Sequence, residues 1–237
     1  FSTGGTGGHI LPAVNLMKHF YKREYDVLLV TDKRGFNFIE NNFKVKSYIL
    51  KAETLTNKLF FKKILSFFII FFSIIKSIII LHKEKPNLVF GFGGYVSFPI
   101  CFVTKFFKIP LIIYENNMVL GRTNKFLSSF SEKIFVAREI DINFPKKYKN
   151  KTQEVGYILS KDIIDYSNNN KRVNKKNLSI LVLGGSQGAK IFGKIIPPTF
   201  KKLIDNGYNV EINQQCIKEQ KSIIEDFYKK NNIKNYV

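Results

Sequence analysis

The chain opens on a glycine-rich stretch that ends in a histidine. Residues 4–9 read GGTGGH, and they precede a stretch in which apolar residues recur at helical spacing. Glycines before a helix let backbone N–H groups approach a ligand closely, and the positive end of the helix dipole favours an anion there. The stretch therefore predicts a phosphate-binding turn. The alternative is a tight strand-to-helix turn that binds nothing.

His9 closes this glycine turn. An imidazole changes charge near neutral pH, so a histidine beside a bound phosphate is suited to act as a general base. The alternative for His9 is a side chain that caps the start of the helix. The other two histidines, His19 and His82, lie in helical stretches beside lysines and are expected at the surface.

Two further glycine turns follow predicted strands, at residues 91–95 (GFGGY) and 184–188 (GGSQG). The turns at residues 4–9 and 184–188 match neither the dinucleotide fingerprint G-x-G-x-x-G nor the Walker A pattern. The backbone N–H groups of residues 185–188 could instead stabilise the negative charge of a leaving diphosphate. No Asp-x-Asp pair lies near either turn, so we expect no metal site and no cofactor.

Short apolar strands alternate with helical stretches, and these elements must position the turns. Strands are predicted at residues 25–31, 45–50, 86–90, 110–114, 134–137 and 178–183, the last of them buried, and Pro12 is predicted to start a helix. Such alternation predicts an α/β protein with parallel sheets. The order strand, glycine turn, helix occurs twice, which predicts two doubly wound domains with the second incomplete, at residues 1–155 and 156–237. The polar residues 141–152 mark the boundary, residues 167–177 are predicted to be a solvated loop, and we expect the sequence to be part of a longer protein.

The charge balance is strongly basic, with 38 Lys and Arg against 18 Asp and Glu, a net charge of +20. This balance favours an anionic partner such as a nucleic acid, a membrane surface or a phosphorylated substrate. The lysines are dispersed and follow no nucleic-acid recognition motif, so we expect no nucleic acid. Two distant cysteines, Cys101 and Cys216, predict neither a disulfide nor a metal site.

Residues 59–81 are the most apolar stretch of the chain. Three lysines, Lys62, Lys63 and Lys76, interrupt it, and a charged side chain inside a membrane span is costly. Three arrangements stay open: a buried core helix, a spanning helix, and a helix that packs on the protein with one side and dips into one membrane leaflet with the other. The last is favoured because the lysines would lie at the lipid phosphates.

Four segments follow one another along the chain: GGTGGHILPA, GFGGYVSFP, YENNMVLGRTNKFL and LVLGGSQGAKI. They resemble the signature segments of the MurG family of bacterial glycosyltransferases, in glycosyltransferase family 28. The resemblance implies a GT-B fold, in which two Rossmann-like domains face a cleft. It implies an inverting hexosyltransferase of peptidoglycan synthesis, which moves N-acetylglucosamine from UDP-N-acetylglucosamine to an undecaprenyl-diphosphate-linked muramoyl-pentapeptide (lipid I) and yields lipid II. It also implies a peripheral enzyme on the cytoplasmic face of the inner membrane, for which residues 59–81 and the lysines would supply an anionic-membrane contact.

The resemblance also assigns roles to residues. His9 matches the residue proposed to deprotonate the acceptor hydroxyl. The residues implied for the acceptor diphosphate are Thr6, Gly7, Gly8, Gly94 and Tyr95. The residues implied for UDP-N-acetylglucosamine are Thr6, Gly7, Gly8, Asn117, Gly185, Ser186, Gln187 and Gly188. Glu115, Asn124 and Ser160 are further candidates without a defined role.

The sequence departs from the family pattern at several of these segments. Tyr114 and Asn116 replace the usual His and Gln, Phe98 replaces a Gly, and Ser160 replaces an Arg that contacts the donor. The family residues that recognise the uridine and sugar lie beyond Val237. Two alternatives therefore stay open: a related GT-B transferase that acts on another lipid acceptor, and a non-catalytic membrane-binding paralogue.

Overall fold

The structure, a computed structural model, describes residues 1–4, 7–39, 43–51, 60–138, 145–169, 178–185 and 189–237. The chain divides into two compact units, Phe1–Ser167 and Asn168–Val237. The domain limits at residues 1–155 and 156–237 stay a prediction.

The first unit alternates helices and parallel strands. Its strands are β1 (Leu28–Thr31), β2 (Lys46–Ile49), β3 (Val89–Gly91), β4 (Leu111–Glu115), β5 (Lys133–Val136) and β6 (Thr152–Glu154). Its helices are α1 (Gly7–Tyr21), α2 (Lys33–Phe36), α3 (Phe60–Glu84), α4 (Ser97–Phe107) and α5 (Arg122–Leu127), with a 3-10 turn at Lys146–Lys151, and α6 (Lys161–Asn169) crosses the limit to the second unit. Residues 167–169 therefore end α6, where a loop was predicted.

The first three residues complete the sheet of this unit. Ser2 bridges Val30 of β1 and Gly91 of β3, and its N–H donates to the carbonyl of Phe90 at 2.7 Å. The order across the sheet is therefore β2, β1, residues 1–3, β3, β4, β5, β6, with every pair parallel. This is the doubly wound order of Rossmann-like domains, so the predicted fold class is confirmed.

Helices cover both faces of the sheet because side chains alternate along each strand. On one face, Ala13 of α1 is buried with Phe90 and Tyr114, and Ile10 and Val14 of the same helix are buried with Leu29 of β1. On the other face, the buried residues come from three helices and four strands, and they include Ile80, Leu81, Ile100, Leu127, Val30, Val89, Ile113 and Ile134. The strand ends between these layers carry the glycine turns.

The second unit has a parallel sheet in the order β7 (Leu178–Val182), β8 (Val210–Gln214) and β9 (Asn235–Tyr236). Helices α7 (Phe192–Asp205) and α8 (Lys221–Lys230) pack on it, around a core that includes Phe200, Ile212 and Tyr228. The prediction that residues 178–183 are buried is wrong: Leu181 is 65% exposed. The reason is that β7 is an edge strand here, and only Ile180 and Val182 face the helices.

Candidate functional site

The first two glycine turns leave the same edge of the sheet. One follows residues 1–3 and the other follows β3, and these two strands are neighbours. The chain winds away from this point in both directions, since β1 and β2 lie to one side and β4 to β6 to the other. Ligands of doubly wound sheets bind in the crevice at such a switch point, at the carboxyl ends of the strands.

Close packing between the two turns explains some of their glycines. A Cβ on Gly4 would lie 2.7 Å from the side chain of Val96, and a Cβ on Gly94 would lie 2.9 Å from the carbonyl oxygen of Gly4. Gly93 and Gly94 also have φ of +83° and +80°, a region that favours glycine. These three positions therefore need glycine for the turns to meet.

Gly7 and Gly8 need another explanation. A Cβ on Gly7 would meet only ordinary contacts, at 3.6 Å from Leu11 and Phe38, so packing does not demand glycine there. Both residues lie in the first turn of α1, where backbone N–H groups have no helical acceptor. The N-terminus of α4 follows the second turn at the same edge. Both glycine turns thus lead into helix N-termini, whose first N–H groups have no helical acceptor and whose positive dipole end favours an anion. Thr6 lies outside the described residues.

Helix α1 begins at Gly7, five residues before the predicted start at Pro12, which is buried inside the helix. Proline has no N–H, so the carbonyl of Gly8, four residues earlier, lacks its usual helical donor. The Asn116 side chain approaches that carbonyl, with Nδ2 at 3.4 Å from the oxygen. Pro12 therefore leaves the Gly8 carbonyl available to Asn116, and this contact joins the first glycine turn to the loop after β4.

His9 is the third residue of α1, and its ring lies over the second glycine turn. The position of a Cβ on Gly93 would be 3.3 Å from His9 Cε1 and 3.4 Å from Nδ1. The Nδ1 atom is buried and has no hydrogen-bond partner among the described residues. A capping side chain would bond to the helix end, and this nitrogen makes no such bond, so the geometry favours the functional interpretation.

A buried carboxylate organises the loop after β4. Glu115 is 1% exposed, and its Oε1 accepts from the backbone N–H and the side-chain amide of Asn117, at 3.0 and 2.9 Å. Its Oε2 accepts from the N–H of Gly121 at 2.9 Å and from Asn124 Nδ2 at 3.0 Å. Asn117 itself is exposed at the sheet edge. Glu115 therefore holds the loop that presents Asn117.

Tyr114 and Asn116, which depart from the family pattern, are integrated into the same region. The Tyr114 hydroxyl lies 3.1 Å from the carbonyl oxygen of Gly156 and 3.3 Å from Asn116 Oδ1. Burial raises the pKa of the Tyr114 phenol, so it stays a hydrogen-bond donor. Ser160 lies just before α6, where its carbonyl accepts from the N–H of Ile164 at 3.2 Å.

The predicted site residues fall into three groups. The first unit brings His9, Gly94, Glu115 and Asn124 to one sheet edge, and Tyr95 stands half-exposed on the second turn. In the second unit, Gly185 is exposed with φ of +78°, and the N–H of Gly184 donates to Gln215 Oε1 at 3.0 Å. Ser186, Gln187 and Gly188 lie outside the described residues.

Sequence reasoning missed three contributors: Gly93, Gln215 and the contact of Asn116 with Gly8. Gly93 was visible as a glycine within a turn, but nothing in the sequence shows which ring lies against it. The contact of Asn116 with Gly8 could have been anticipated in part, because a proline at residue 12 leaves the carbonyl of residue 8 without its helical donor.

Comparison with known proteins identifies the family of this site. Residues 1–136 match the sequence-family model described as the glycosyltransferase family 28 N-terminal domain. The chain is 36% identical over 232 residues to the UDP-N-acetylglucosamine–N-acetylmuramyl-(pentapeptide) pyrophosphoryl-undecaprenol N-acetylglucosamine transferase of Rickettsia canadensis, covering 97% of this chain and 64% of that one. It is 37% identical over 214 residues to the protein of the same name from Pelagibacter ubique, covering 90% and 58%. The chain therefore spans about two thirds or less of the length of these relatives.

Solved structures show the same fold. The crystal structure of MurG from Acinetobacter baumannii has a TM-score of 0.73 and 24% identity, covering 100% of this chain and 66% of that one. A UDP-GlcNAc 2-epimerase from Neisseria meningitidis, bound to UDP-GlcNAc, has a TM-score of 0.61 and 15% identity, covering 99% and 70%.

Proposed function

The chain belongs to glycosyltransferase family 28, and from this premise we propose that it supplies the acceptor-binding part of an inverting N-acetylglucosaminyltransferase. The donor would be UDP-N-acetylglucosamine, and the acceptor a muramoyl-pentapeptide linked to undecaprenyl diphosphate, the reaction named for its relatives. The observation that carries the proposal is the meeting of the two glycine turns beside His9 at the switch point of the sheet.

The acceptor diphosphate fits the two helix N-termini at this edge. Gly7 and Gly8 begin α1, and Gly94 and Tyr95 precede α4, so two positive helix ends adjoin the turns. Backbone donors in fixed positions bind phosphate oxygens without a metal. The half-exposed ring of Tyr95 is available to lie against the sugar or lipid of the acceptor.

The reaction needs a base at the acceptor hydroxyl. The hydroxyl oxygen attacks the anomeric carbon of N-acetylglucosamine, the bond from that carbon to the UDP oxygen breaks, and the hydroxyl proton passes to His9. Because Nδ1 is buried against Gly93, the other ring nitrogen, Nε2, is the one to receive the proton. The charge that develops on UDP would meet the N–H groups of residues 185–188, an assignment that stays a prediction.

Helix α3 supports a membrane location for this site. The helix is long and apolar enough to cross a membrane by length and composition. One side carries Ser66, Ser73 and Ser77, which are buried, and the opposite side exposes phenyl rings, with Phe72 64% exposed. An apolar helix face of this size open to water marks a contact with a membrane or another protein. The core-helix alternative does not fit these exposures.

Basic side chains beside α3 favour the membrane. A groove between α3 and the ends of β1 and β2 has a mostly apolar half, which includes Phe72, and a charged half with four basic residues and one acidic residue: Lys33, Arg34, Lys51, Lys76 and Asp32. The groove opens at the carboxyl ends of the strands, the edge that also carries the glycine turns. Cations around exposed phenyl rings are the features that bind an anionic leaflet. Docking by α3 would therefore present the site to a lipid-linked acceptor.

The activity is tested with the full gene product, radiolabelled UDP-N-acetylglucosamine and a lipid I analogue. We expect transfer to the lipid, and we expect His9→Ala to lower kcat by about 10²-fold or more. The matched control is His19→Ala, an exposed histidine on the same helix, which should leave kcat unchanged. Wild-type protein that binds vesicles without transferring sugar would overturn the enzyme proposal in favour of a non-catalytic paralogue.

Membrane docking is tested by flotation with vesicles that contain an anionic phospholipid. Phe68 and Phe72 are each at least half-exposed, and burying a whole phenyl side chain contributes about 1.5–3 kcal/mol. The double variant Phe68→Ser/Phe72→Ser should therefore weaken vesicle binding by about 100-fold, while Tyr208→Ser, an equally exposed aromatic in the second unit, should not. If both variants bind vesicles equally well, α3 is not the membrane-docking surface.

A further inference from the structure

Two buried atoms at the site lack the hydrogen bonds they need. His9 Nδ1 and Asn124 Oδ1 are both buried, and neither has a partner among the described residues. Buried polar side-chain atoms are almost always hydrogen-bonded, so such orphans point to a function or to a water. The two atoms are complementary, because Nδ1 can carry a proton and a side-chain amide oxygen can only accept one.

The two side chains meet over the same backbone position. The point that a Cβ on Gly93 would occupy lies 3.4 Å from His9 Nδ1 and 3.3 Å from Asn124 Nδ2. Glycine at residue 93 therefore leaves open the space between the imidazole and the amide.

The orientation of the Asn124 amide is fixed by its other end. Its Nδ2 donates to the Tyr114 carbonyl at 3.1 Å and to Glu115 Oε2 at 3.0 Å. Both partners are acceptors, so the amide cannot flip without placing oxygen against oxygen. Asn124 is 1% exposed, which keeps bulk water from replacing these bonds.

We propose that Asn124 is the positioning residue for His9. Its Oδ1 accepts the Nδ1 proton of His9, directly or through one water molecule. This bond selects the tautomer in which Nε2 carries no proton and is free to take one from the acceptor. Glu115, the charged group that faces Asn124, fixes the amide and lies two hydrogen bonds from the imidazolium that forms. The inference deepens the proposed function, since it rests on His9 as the base.

The first test reads the tautomer directly and needs no substrate. In ¹⁵N NMR spectra of the chain, with the His9 signals assigned by their loss in His9→Ala, we expect the Nδ1-protonated tautomer. Asn124→Leu should shift His9 towards the Nε2-protonated form. Asn124→Asp keeps the acceptor oxygen, while its second oxygen, facing Glu115 Oε2 and the Tyr114 carbonyl, must carry a proton to bond there; in that protonated form it should retain the Nδ1-protonated histidine. Asn15→Leu, which alters another partly buried amide on the helix of His9, should change nothing.

The second test separates positioning from binding. In the full gene product, Asn124→Leu should lower kcat by about 10²-fold or more and leave KM for UDP-N-acetylglucosamine within about threefold. Asn124→Asp should recover at least part of kcat. The inference is overturned if Asn124→Leu leaves the His9 tautomer unchanged, or if Asp and Leu are equally inactive with native spectra. Loss of the proposed function alone would appear differently, as an inactive wild type whose His9 still holds the Nδ1-protonated form.

Discussion

Replacing Glu115 by Gln tests how much of the site depends on one buried carboxylate. The carboxylate accepts four hydrogen bonds, two on each oxygen. A glutamine keeps one acceptor oxygen and turns an NH₂ group towards the other two donors. Two bonds to a charged acceptor are then lost, each contributing about 1.5–3 kcal/mol.

The side chain will adopt the less costly of two orientations. Asn117 is exposed, so water can satisfy its donors, whereas Asn124 is buried. The NH₂ group should therefore face Asn117, and relief by water reduces the loss to about 2–4 kcal/mol. A typical domain has only about 5–15 kcal/mol of stability, so the change is readily measured.

The assay is urea unfolding of the chain followed by far-UV circular dichroism, with Glu132→Gln as the control. Glu132 is an exposed carboxylate before β5, and its replacement should change the free energy of unfolding by less than about 0.5 kcal/mol. Amide exchange supplies a local measurement, in which the Asn117 N–H should exchange faster in Glu115→Gln. If the two variants unfold at the same urea concentration, the carboxylate does not organise this loop and the reasoning is refuted.

Two further predictions concern the core between β3 and α4. Burial raises the pKa of the Cys101 thiol from 9.0 to about 12, so the folded state holds this proton more tightly than the unfolded state. Stability should therefore fall as pH rises from 9 towards 12, by about 1.4 kcal/mol per pH unit at most, and Cys101→Ala should remove that part of the slope in urea titrations. A Cβ on Gly91 would lie 2.8 Å from Cys101 Sγ, so Gly91→Ala should destabilise the chain by about 1–3 kcal/mol, and by less in a Cys101→Ala background. Additive effects in that double-mutant cycle would show that the sulfur does not restrict residue 91.

The apolar strands were predictable because each is a short run of buried residues bounded by turn signals. Strands β1, β3, β4 and β5 follow this rule, and their alternation with helices is enough to predict the doubly wound sheet. Strand β6 was missed because Thr152–Glu154 is a polar, largely exposed edge. Strand β7 was assigned to the interior because its composition is apolar, but burial depends on which elements cover it.

The sequence allowed the residues of the site to be predicted, but it did not show which of them contact one another. His9 and the glycine turns follow from residue type and order along the chain. Gly4 is required for packing and Gly7 is not. This difference depends on Val96, some ninety residues away in sequence, and on the sheet order that brings the two turns together. The buried side of α3 was unexpected for a related reason: over residues 66–77 it carries the hydroxyl groups of three serines, with Ile80 and Leu81 buried beyond them, and the phenyl rings face outwards.

That reversal on α3 has a practical consequence for handling the protein. The Ser73 hydroxyl donates to the Lys51 carbonyl and the Lys76 ammonium donates to the Ile49 carbonyl at 2.9 Å, so this side of α3 is bonded to the segment that ends β2. Folding therefore leaves the phenyl side open to water. In lipid-free buffer, the correctly folded chain should self-associate as its concentration rises, and mild detergent micelles should reverse this. Aggregation during purification would then be a property of the native state. Neither refolding the protein nor stabilising its core by mutation would prevent it.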